Sequence, residues 1–260
     1  MCGISGVYGP NALRLSLLIT LGQLQRGTLG TGLAWVQNRR LKILKKPIHP
    51  LRFVRKYYHT LPSRVMTAIA HNRQPSMGDV SFNNTHPFVE CRRRYALIHN
   101  GSCIFDRSLI GKMKQKHRIL GKTDSEIVCH LLEQLYDEHG DMTAAIERLL
   151  ETSFNGAILI VTVHGEVYGT RKGWAPLHYA KHNEHVFLAS EAEAIKSIVG
   201  DDVRVFQLKP RQIIEVCQGN VEIHGEGEEE PQVRYYHGLR SPYYSCLLDL
   251  DSDLAGYQEL

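Results

Sequence analysis

The 260-residue sequence has no run of about 18 apolar residues, the length that a membrane-spanning helix needs. Its start, Met1-Cys2-Gly3-Ile4, has neither the basic region nor the apolar stretch of a secretion signal. The six cysteines form no CxxC pair, the spacing typical of zinc and redox sites. These absences predict a cytoplasmic chain that makes no membrane contact and whose cysteines are mostly reduced.

The sequence also lacks a large net charge and, at three of its histidines, closely spaced metal ligands. Fourteen histidines are present, but His71, His86 and His99 fall on no close-spaced ligand motif, so we expect no metal site. A formal net charge of +4 is too small for a protein that covers nucleic-acid backbone, so no nucleic-acid partner is expected.

The charge that is present is distributed unevenly. Residues 225–260 hold eight acidic and two basic residues, a net charge of −6, which leaves +10 on residues 1–224. The same last segment holds five of the twelve tyrosines. We therefore predict one domain over 1–224, followed by an acidic, tyrosine-rich tail over 225–260. The tail is interpreted either as a docking surface or as one or two strands that close the edge of the domain.

The apolar pattern predicts an α+β fold. Short apolar segments are joined by turn-like pairs such as His164-Gly165 and Gly219-Asn220, which favour antiparallel hairpins over a parallel βαβ repeat. The clearest helix signal covers 124–138, because Thr123 followed by Glu126 fits a capping box. Strands are predicted at 2–8, 32–37, 64–71, 95–99, 157–163, 166–171, 177–180, 186–189 and 212–216, and further helices at 11–25, 106–116, 142–151 and 191–198.

Cys2 follows the initiator methionine directly. If Met1 is removed, one residue carries both a thiol nucleophile and an α-amine. The amine has a pKa of about 7.7–8.0, close to the working pH, so it can accept the thiol proton. Taken alone, a Met-Cys-Gly start is weak support for this chemistry.

Three other positions offer matching chemistry. Asn100-Gly101 follows a predicted strand, where an amide side chain and a backbone N–H can face one oxyanion, although Asn-Gly alone is more often a hairpin turn. The guanidinium of Arg73 can bind a carboxylate with two parallel hydrogen bonds, although a lone arginine is more often a surface cation. Asp124 alone fits the start of a helix.

The ordered set of these segments resembles the class II glutamine amidotransferases, which are N-terminal-nucleophile hydrolases. The motifs are most similar to those of the glutaminase domain of phosphoribosylpyrophosphate amidotransferase. This sequence departs from the family pattern at Leu29, where an acidic residue is common, and at Gln74 and Ser76, where an aromatic residue and a threonine are usual. The matching segments are 2–9, the Arg-Gly-x-x-x-x-Gly element at 26–32, 71–88, 98–102, 121–126, 171–177 and 188–194.

The resemblance implies a four-layer αββα sandwich, with two stacked, mainly antiparallel sheets flanked by helices. It implies no cofactor. The expected substrate is L-glutamine, hydrolysed to L-glutamate and ammonia through a thioester. The residues implied are Cys2 as the nucleophile, Asn100 and Gly101 as the oxyanion hole, Arg73 for the α-carboxylate, Asp124 for the α-ammonium, and Ser76 and His86 in the substrate pocket.

Partners and alternatives follow from the same comparison of motifs. The residues after the matched region are too few for a synthase domain, so we expect the ammonia to pass to a separate synthase subunit, and a homo-oligomer is also compatible with the sequence. Two other functions stay open. The chain could be an N-terminal-nucleophile amidase for another amide, or a catalytically silent regulatory or interaction subunit, for which Leu29 and Gln74 are mild support.

Overall fold

The computed structural model describes residues 1–75, 78–103, 113 and 116–229. Thirteen strands and five α-helices lie in this part of the chain. The strands are β1 (Gly3–Tyr8), β2 (Thr31–Gln37), β3 (Arg40–Lys46), β4 (Thr67–Asn72), β5 (Phe88–Val89), β6 (Tyr95–Gly101), β7 (Gly156–Thr162), β8 (Val167–Lys172), β9 (His178–His182), β10 (His185–Ala189), β11 (Phe206–Gln207), β12 (Ile213–Cys217) and β13 (Asn220–His224). The helices are α1 (Ala12–Leu21), α2 (Pro50–Tyr57), α3 (Asp124–His139), α4 (Met142–Leu150) and α5 (Ala192–Val199).

The strands form two antiparallel sheets. The first has the order β11-β9-β10-β1-β4-β2-β3 and the second the order β13-β12-β8-β7-β6-β5. Successive side chains of a strand point to opposite faces, so Ile4 of β1 packs between the sheets while Val7 packs under α1 and α5. In the same way, Ile98 of β6 faces the other sheet and Leu97 packs under α3 and α4. The predicted four-layer αββα sandwich is confirmed.

Helix α3 begins with half of the predicted capping box. The Thr123 hydroxyl accepts a hydrogen bond from the Glu126 amide at 3.4 Å. The Glu126 carboxylate does not return to Thr123 but accepts from the amides of Leu120 at 2.9 Å and Gly121 at 2.6 Å. It therefore fixes the turn before the helix. The helix ends at Gly140, whose positive φ of 71° suits glycine.

Each of the nine predicted strands has a counterpart, with ends shifted by a few residues. The prediction missed the lysine-rich strand β3, the two-residue strands β5 and β11, the exposed strand β13 and helix α2, all of which are short or rich in charged residues. The helix predicted over 11–25 ends at Leu21 and is followed by a 3-10 turn, Leu24–Arg26. Most of the helix predicted over 106–116 lies outside the described residues.

The last strand, β13, ends at His224. The domain boundary placed there stays a prediction, because the tail lies outside the described residues from position 230 onward. No helix in the described ranges combines the length and the apolar character needed to cross a lipid bilayer.

Candidate active site

Cys2 and Asn100 meet at one end of the two stacked sheets. Alternation along the chain places Cys2 on the same face as Ile4, and Asn100 on the same face as Ala96 and Ile98, all three of which belong to the core between the sheets. The backbone nitrogen of Cys2 donates to Oδ1 of Asn100 at 3.0 Å. The fold therefore brings the predicted nucleophile and the predicted Asn-Gly motif into direct contact.

Within the described ranges, the side-chain nitrogen of Asn100 is unused as a hydrogen-bond donor. Its side chain is 1% exposed, and its Nδ2 meets no hydrogen-bond acceptor among the described residues. Such a buried, unsatisfied donor costs about 1–3 kcal/mol and calls for an explanation, which a bound ligand can supply. The neighbouring Gly101 lies so close to β7 that a Cβ would stand 2.2 Å from the carbonyl oxygen of Asn155. Only glycine fits at this position.

The thiol of Cys2 contacts the backbone of Gln74. The Gln74 amide donates to Sγ at 3.4 Å, and Sγ lies 3.5 Å from the Gln74 carbonyl oxygen. Burial raises the pKa of the Cys2 thiol, while the Gln74 amide and the charges of Arg73 and Arg26 act in the opposite direction. A raised pKa leaves little thiolate at neutral pH, so a nearby base is needed for nucleophilic attack.

Two of the three departures from the family pattern, Leu29 and Gln74, contribute backbone contacts. Gln74 is exposed, and it contacts the Cys2 thiol through its main-chain amide and carbonyl. Leu29 is 43% exposed, and its amide donates to the Arg73 carbonyl at 3.0 Å. Every residue has a main-chain carbonyl, and every residue except proline has a main-chain N–H. A different side chain at position 29 or 74 therefore leaves these contacts intact.

Two segments that resemble family motifs, 26–32 and 188–194, hold Cys2 and the start of β1 in place. Arg26, from the Arg-Gly-x-x-x-x-Gly element, donates through Nε to the Cys2 carbonyl at 2.9 Å and forms an ion pair with Glu191. Ser190 Oγ accepts from the Ile4 amide at 3.1 Å. The sequence showed the motifs that contain Arg26, Ser190 and Glu191, but it did not assign these residues to the site. In the structure they support the position of Cys2.

Arg73 follows β4 and is 2% exposed. Its guanidinium donates to the carbonyl oxygens of Asp79 at 2.6 Å and Gly78 at 3.4 Å. Its backbone nitrogen donates to Gly30 at 2.8 Å, and a Cβ on Gly27 would lie 2.7 Å from its carbonyl carbon. The glycines of the Arg-Gly-x-x-x-x-Gly element thus allow the close backbone approach that positions Arg73 beside Gln74 and the thiol.

Asp124 is the first residue of α3 and is also buried. Its carboxylate accepts from the Cys103 amide at 2.8 Å and from the Ser125 amide at 2.9 Å. Cys103 lies three positions after Asn100, so this bond ties Asp124 to the end of β6. A carboxylate at a helix N-terminus is stabilised by the helix dipole and remains a suitable partner for a cation.

Asn84 connects the loop that holds Arg73 with the turn before Asp124. Its Nδ2 donates to the Asp79 carbonyl at 3.2 Å, and its Oδ1 accepts from the Lys122 amide at 2.7 Å. Asn84 is 2% exposed. The predicted binding groups for the two ends of glutamine are therefore linked through one buried amide side chain, which sequence reasoning did not single out.

The two residues predicted to line the substrate pocket are His86 and Ser76. His86 stacks on His71 with ring centroids 3.9 Å apart, and neither ring nitrogen of His86 meets a partner among the described residues. Burial lowers the pKa of His86 well below its usual value and lowers that of His71 to about 3, so both rings are neutral. Ser76 lies outside the described residues, and its role stays a prediction.

Comparisons with known proteins identify relatives of this chain. Residues 12–167 match the family described as "Glutamine amidotransferases class-II", a range that begins after Cys2. The chain is 29% identical to glutamine–fructose-6-phosphate aminotransferase of Streptomyces coelicolor, over 91% of this chain and 39% of the relative. It is 30% identical to amidophosphoribosyltransferase of Methanothermobacter thermautotrophicus, over 58% of this chain and 32% of the relative. The chain thus spans well under half the length of these relatives.

The fold is shared with solved structures of the same group. Glutamine phosphoribosylpyrophosphate amidotransferase from B. subtilis superposes with a TM-score of 0.72 at 21% identity, over 86% of this chain and 49% of that one. A class-II glutamine aminotransferase domain protein from Silicibacter pomeroyi gives a TM-score of 0.60 at 17% identity, over 87% of this chain and all of that one. Because the family match covers more than half of the sequence, the chain belongs to the class II glutamine amidotransferases.

Proposed function

We propose that this chain hydrolyses L-glutamine to L-glutamate and ammonia, with Cys2 as the nucleophile after removal of Met1. The observation that carries the proposal is the side chain of Asn100. Its Oδ1 holds the nitrogen of Cys2 at 3.0 Å, while its buried Nδ2 has no acceptor among the described residues. One amide group can therefore orient the base and bind a developing oxyanion.

The first step is proton transfer within Cys2. Met1 is 58% exposed, which makes it accessible for removal. The nitrogen that now donates to Asn100 then becomes an α-amine. This amine takes the proton of the thiol, and the resulting thiolate attacks the side-chain carbonyl carbon of glutamine.

The attack creates a tetrahedral intermediate with a negative oxygen. Asn100 Nδ2 and the amide of Gly101 are the donors proposed for that oxygen. When the intermediate collapses, the C–N bond breaks and the protonated amine of Cys2 gives its proton to the leaving ammonia. Water then attacks the thioester with the amine as base, and glutamate leaves while the thiol is restored. No cofactor takes part in these steps.

Recognition of a free amino acid is assigned to two charged groups. Arg73 binds the α-carboxylate, which displaces the neutral carbonyls of Gly78 and Asp79, because hydrogen bonds to an ionised acceptor are stronger. Asp124 binds the α-ammonium. Asn84 links both regions and keeps the separation between them fixed. Ser76 and His86 are proposed to line the pocket between these charged groups.

We infer that the ammonia serves a synthase subunit outside this chain. The support is the names of the relatives, which describe transfer of an amino or amido group. The domain is taken as residues 1–224, and the acidic, tyrosine-rich segment 225–260 is the proposed contact with that subunit, since tyrosine is enriched in interfaces.

Glutaminase assays on matched cysteine variants test the catalytic proposal. Purified chain should release ammonia from L-glutamine, Cys2→Ala should reduce the rate to background, and Cys217→Ala should behave as the parent protein. Cys217 lies in β12, in another part of the fold, and is a suitable control for general loss of a thiol. Equal activity of Cys2→Ala and the parent would contradict the proposal.

Affinity isolation tests the synthase proposal separately. Tagged chain and tagged chain truncated after residue 224 should be incubated with an extract of the natural source, and bound proteins identified. The full chain should retain a synthase whose product contains a glutamine-derived nitrogen, and the truncated chain should retain less of it. Recovery of this chain alone from both samples would count against a separate synthase subunit.

A further inference from the structure

Four potential metal ligands meet on the outer side of the second sheet, away from the Cys2 site. Cys91 lies in the turn between β5 and β6, His117 lies in the segment before α3, and His130 and Glu133 lie on α3. One ligand atom from each residue falls within 4.8 Å of all the others. The side chains of His117, His130 and Glu133 are each 2% exposed, whereas Cys91 is exposed.

The distances suit a small tetrahedral ion. Sγ of Cys91 lies 3.8 Å from Nδ1 of His117 and 3.7 Å from Nδ1 of His130. With Zn–S of about 2.3 Å and Zn–N of about 2.0–2.1 Å, tetrahedral coordination places sulfur and nitrogen about 3.5 Å apart. Oε2 of Glu133 lies 2.9 and 2.8 Å from the two Nδ1 atoms. Zinc would move this oxygen outward by about half an ångström, since a tetrahedral N–O separation is about 3.3 Å.

The charges and donor atoms of the four side chains favour Zn²⁺. One thiolate and one carboxylate together balance the charge of a dication, and two neutral imidazoles complete the set. Sulfur and imidazole ligands favour Zn²⁺ over Mg²⁺ and Ca²⁺, which prefer oxygen. Four protein ligands leave no open position, which is the pattern of a structural rather than a catalytic zinc site.

Neighbouring contacts hold the ligands in place. Oε1 of Glu133 accepts from the Cys91 amide at 3.2 Å, which leaves Oε2 directed at the two histidines. The nearby Glu90 is engaged elsewhere, because its carboxylate accepts from the Arg92 amide at 3.0 Å and pairs with Arg94 at 3.2 Å. Such outer contacts orient the ligands of metal sites in general.

We propose that Cys91, His117, His130 and Glu133 form a structural Zn²⁺ site. The ion joins three segments that are distant in sequence: the β5–β6 turn, the segment containing His117, and α3. Helix α3 starts with Asp124, and at 1.5 Å per residue His130 lies about 9 Å further along it. The site thus fixes the helix that presents Asp124, and it does not depend on the glutaminase proposal.

Metal titration of the purified full chain tests the site. Zinc-free protein, reduced with a phosphine, should take up one equivalent of Zn²⁺ in competition with a chromophoric chelator, and its thermal midpoint should rise. Co²⁺ should give a thiolate-to-metal charge-transfer band and the intense visible bands of a tetrahedral site. Absence of the charge-transfer band, or no change in the midpoint with Zn²⁺, would overturn the proposal.

Variants locate the bound ion. Cys91→Ser and His130→Gln should abolish the band and weaken Zn²⁺ binding at least about 100-fold, because loss of even an outer-shell partner costs 10- to 100-fold. His224→Gln tests an acidic surface group, Glu215, Glu222 and His224, and should bind as the parent does. Cys103→Ser tests a third group, His99, Cys103 and Asp124, which lies in the Cys2 site.

The outcomes are distinct even if one variant does not fold. Cys91 is exposed and Cys91→Ser is expected to fold, which far-ultraviolet circular dichroism without metal would verify. If His130→Gln is unfolded, Cys91→Ser decides alone. Retention of the cobalt band in Cys91→Ser, or its loss in Cys103→Ser instead, would place the ion elsewhere and refute the assignment.

Discussion

The Oδ1 atom of Asn100 accepts a hydrogen bond from the backbone nitrogen of Cys2 at 3.0 Å, across 98 positions of sequence. This contact joins β6 of one sheet to the residue before β1 of the other. Because the other amide atom of Asn100 is buried without an acceptor among the described residues, the same side chain can serve both the base and the oxyanion.

Replacing Asn100 with aspartate keeps the acceptor but removes the Nδ2 donor and adds a negative charge. Loss of one oxyanion donor typically lowers kcat by about 10²–10³. We therefore expect Asn100→Asp to lower kcat for glutamine by at least about 100-fold while the chain stays folded. Asn183→Asp, at an exposed turn, is the matched control. Steady-state ammonia release measures both, and an unchanged kcat in Asn100→Asp would exclude the proposed donor role.

Arg73→Lys should impair recognition of the α-carboxylate. Lysine keeps the charge but cannot form two parallel hydrogen bonds. A lost hydrogen bond to a charged group is worth about 1.5–3 kcal/mol, so kcat/KM for glutamine should fall about 10- to 100-fold. Activity on 4-aminobutanamide, which lacks the α-carboxylate, should be low and should change little.

The control for this prediction is Arg55→Lys on the exposed side of α2. It should leave both substrates unaffected. If the parent protein hydrolyses 4-aminobutanamide as well as glutamine, the chain is an amidase for another substrate, and the role assigned to Arg73 is wrong.

Gln74 provides a test of the departure from the family pattern. Its contacts with the Cys2 thiol use main-chain atoms, so Gln74→Ala should change kcat/KM by no more than about threefold, as for other exposed substitutions. Gln74→Pro removes the amide that donates to Sγ and should lower activity much more. If Gln74→Pro lowers activity no more than Gln74→Ala does, the contact between the Gln74 amide and the thiol does not support activity.

The buried histidines predict a loss of stability in acid. Burial lowers the pKa of His71 from 6.5 to about 3, whereas in the unfolded chain it stays near 6.5. Below about pH 6.5 the unfolded state therefore binds a proton that the native state does not, and the free energy of unfolding falls by up to about 1.4 kcal/mol per pH unit for this residue. The loss continues until the pH approaches 3, and above pH 6.5 the contribution is constant.

Urea unfolding at about pH 7.5 and about pH 5 measures this effect. His71→Gln keeps a donor for the His99 carbonyl, which Nε2 of His71 contacts at 3.2 Å, but cannot titrate. Its loss of stability between the two pH values should be about 2 kcal/mol smaller than in the parent. The exposed His59→Gln should behave as the parent. Identical pH dependence in all three proteins would mean that His71 is not buried as a neutral ring.

The sequence predicted the central strands because their apolar residues recur with clear alternation or in continuous runs, as in β1 and β7. It did not predict β3, which has the lysine-rich sequence RLKILKK and lies at the sheet edge, or α2, which has only eight residues, three of them basic. Edge strands bury only part of one face, so their sequences carry a weaker pattern. Their existence depends on neighbouring strands rather than on local sequence.

The candidate site could likewise be predicted only in part from the sequence. Cys2, Arg73, Asn100, Gly101 and Asp124 were visible as ordered motifs. The contacts that support them, through Asn84 and Arg26, follow from tertiary structure. The proposed zinc ligands could not be predicted from the sequence for a similar reason. Cys91 and His117 are 26 positions apart and lie on different segments. Only His130 and Glu133 are close in sequence, three positions apart on one helix.

The most direct test of the central claim is the intact mass of the purified chain before and after reaction with 6-diazo-5-oxonorleucine. The account predicts a mass without Met1 and one adduct, which peptide mapping places on Cys2 and which an excess of L-glutamine prevents. A mature chain that retains Met1, or a chain that lacks Met1 and remains unlabelled, would contradict it.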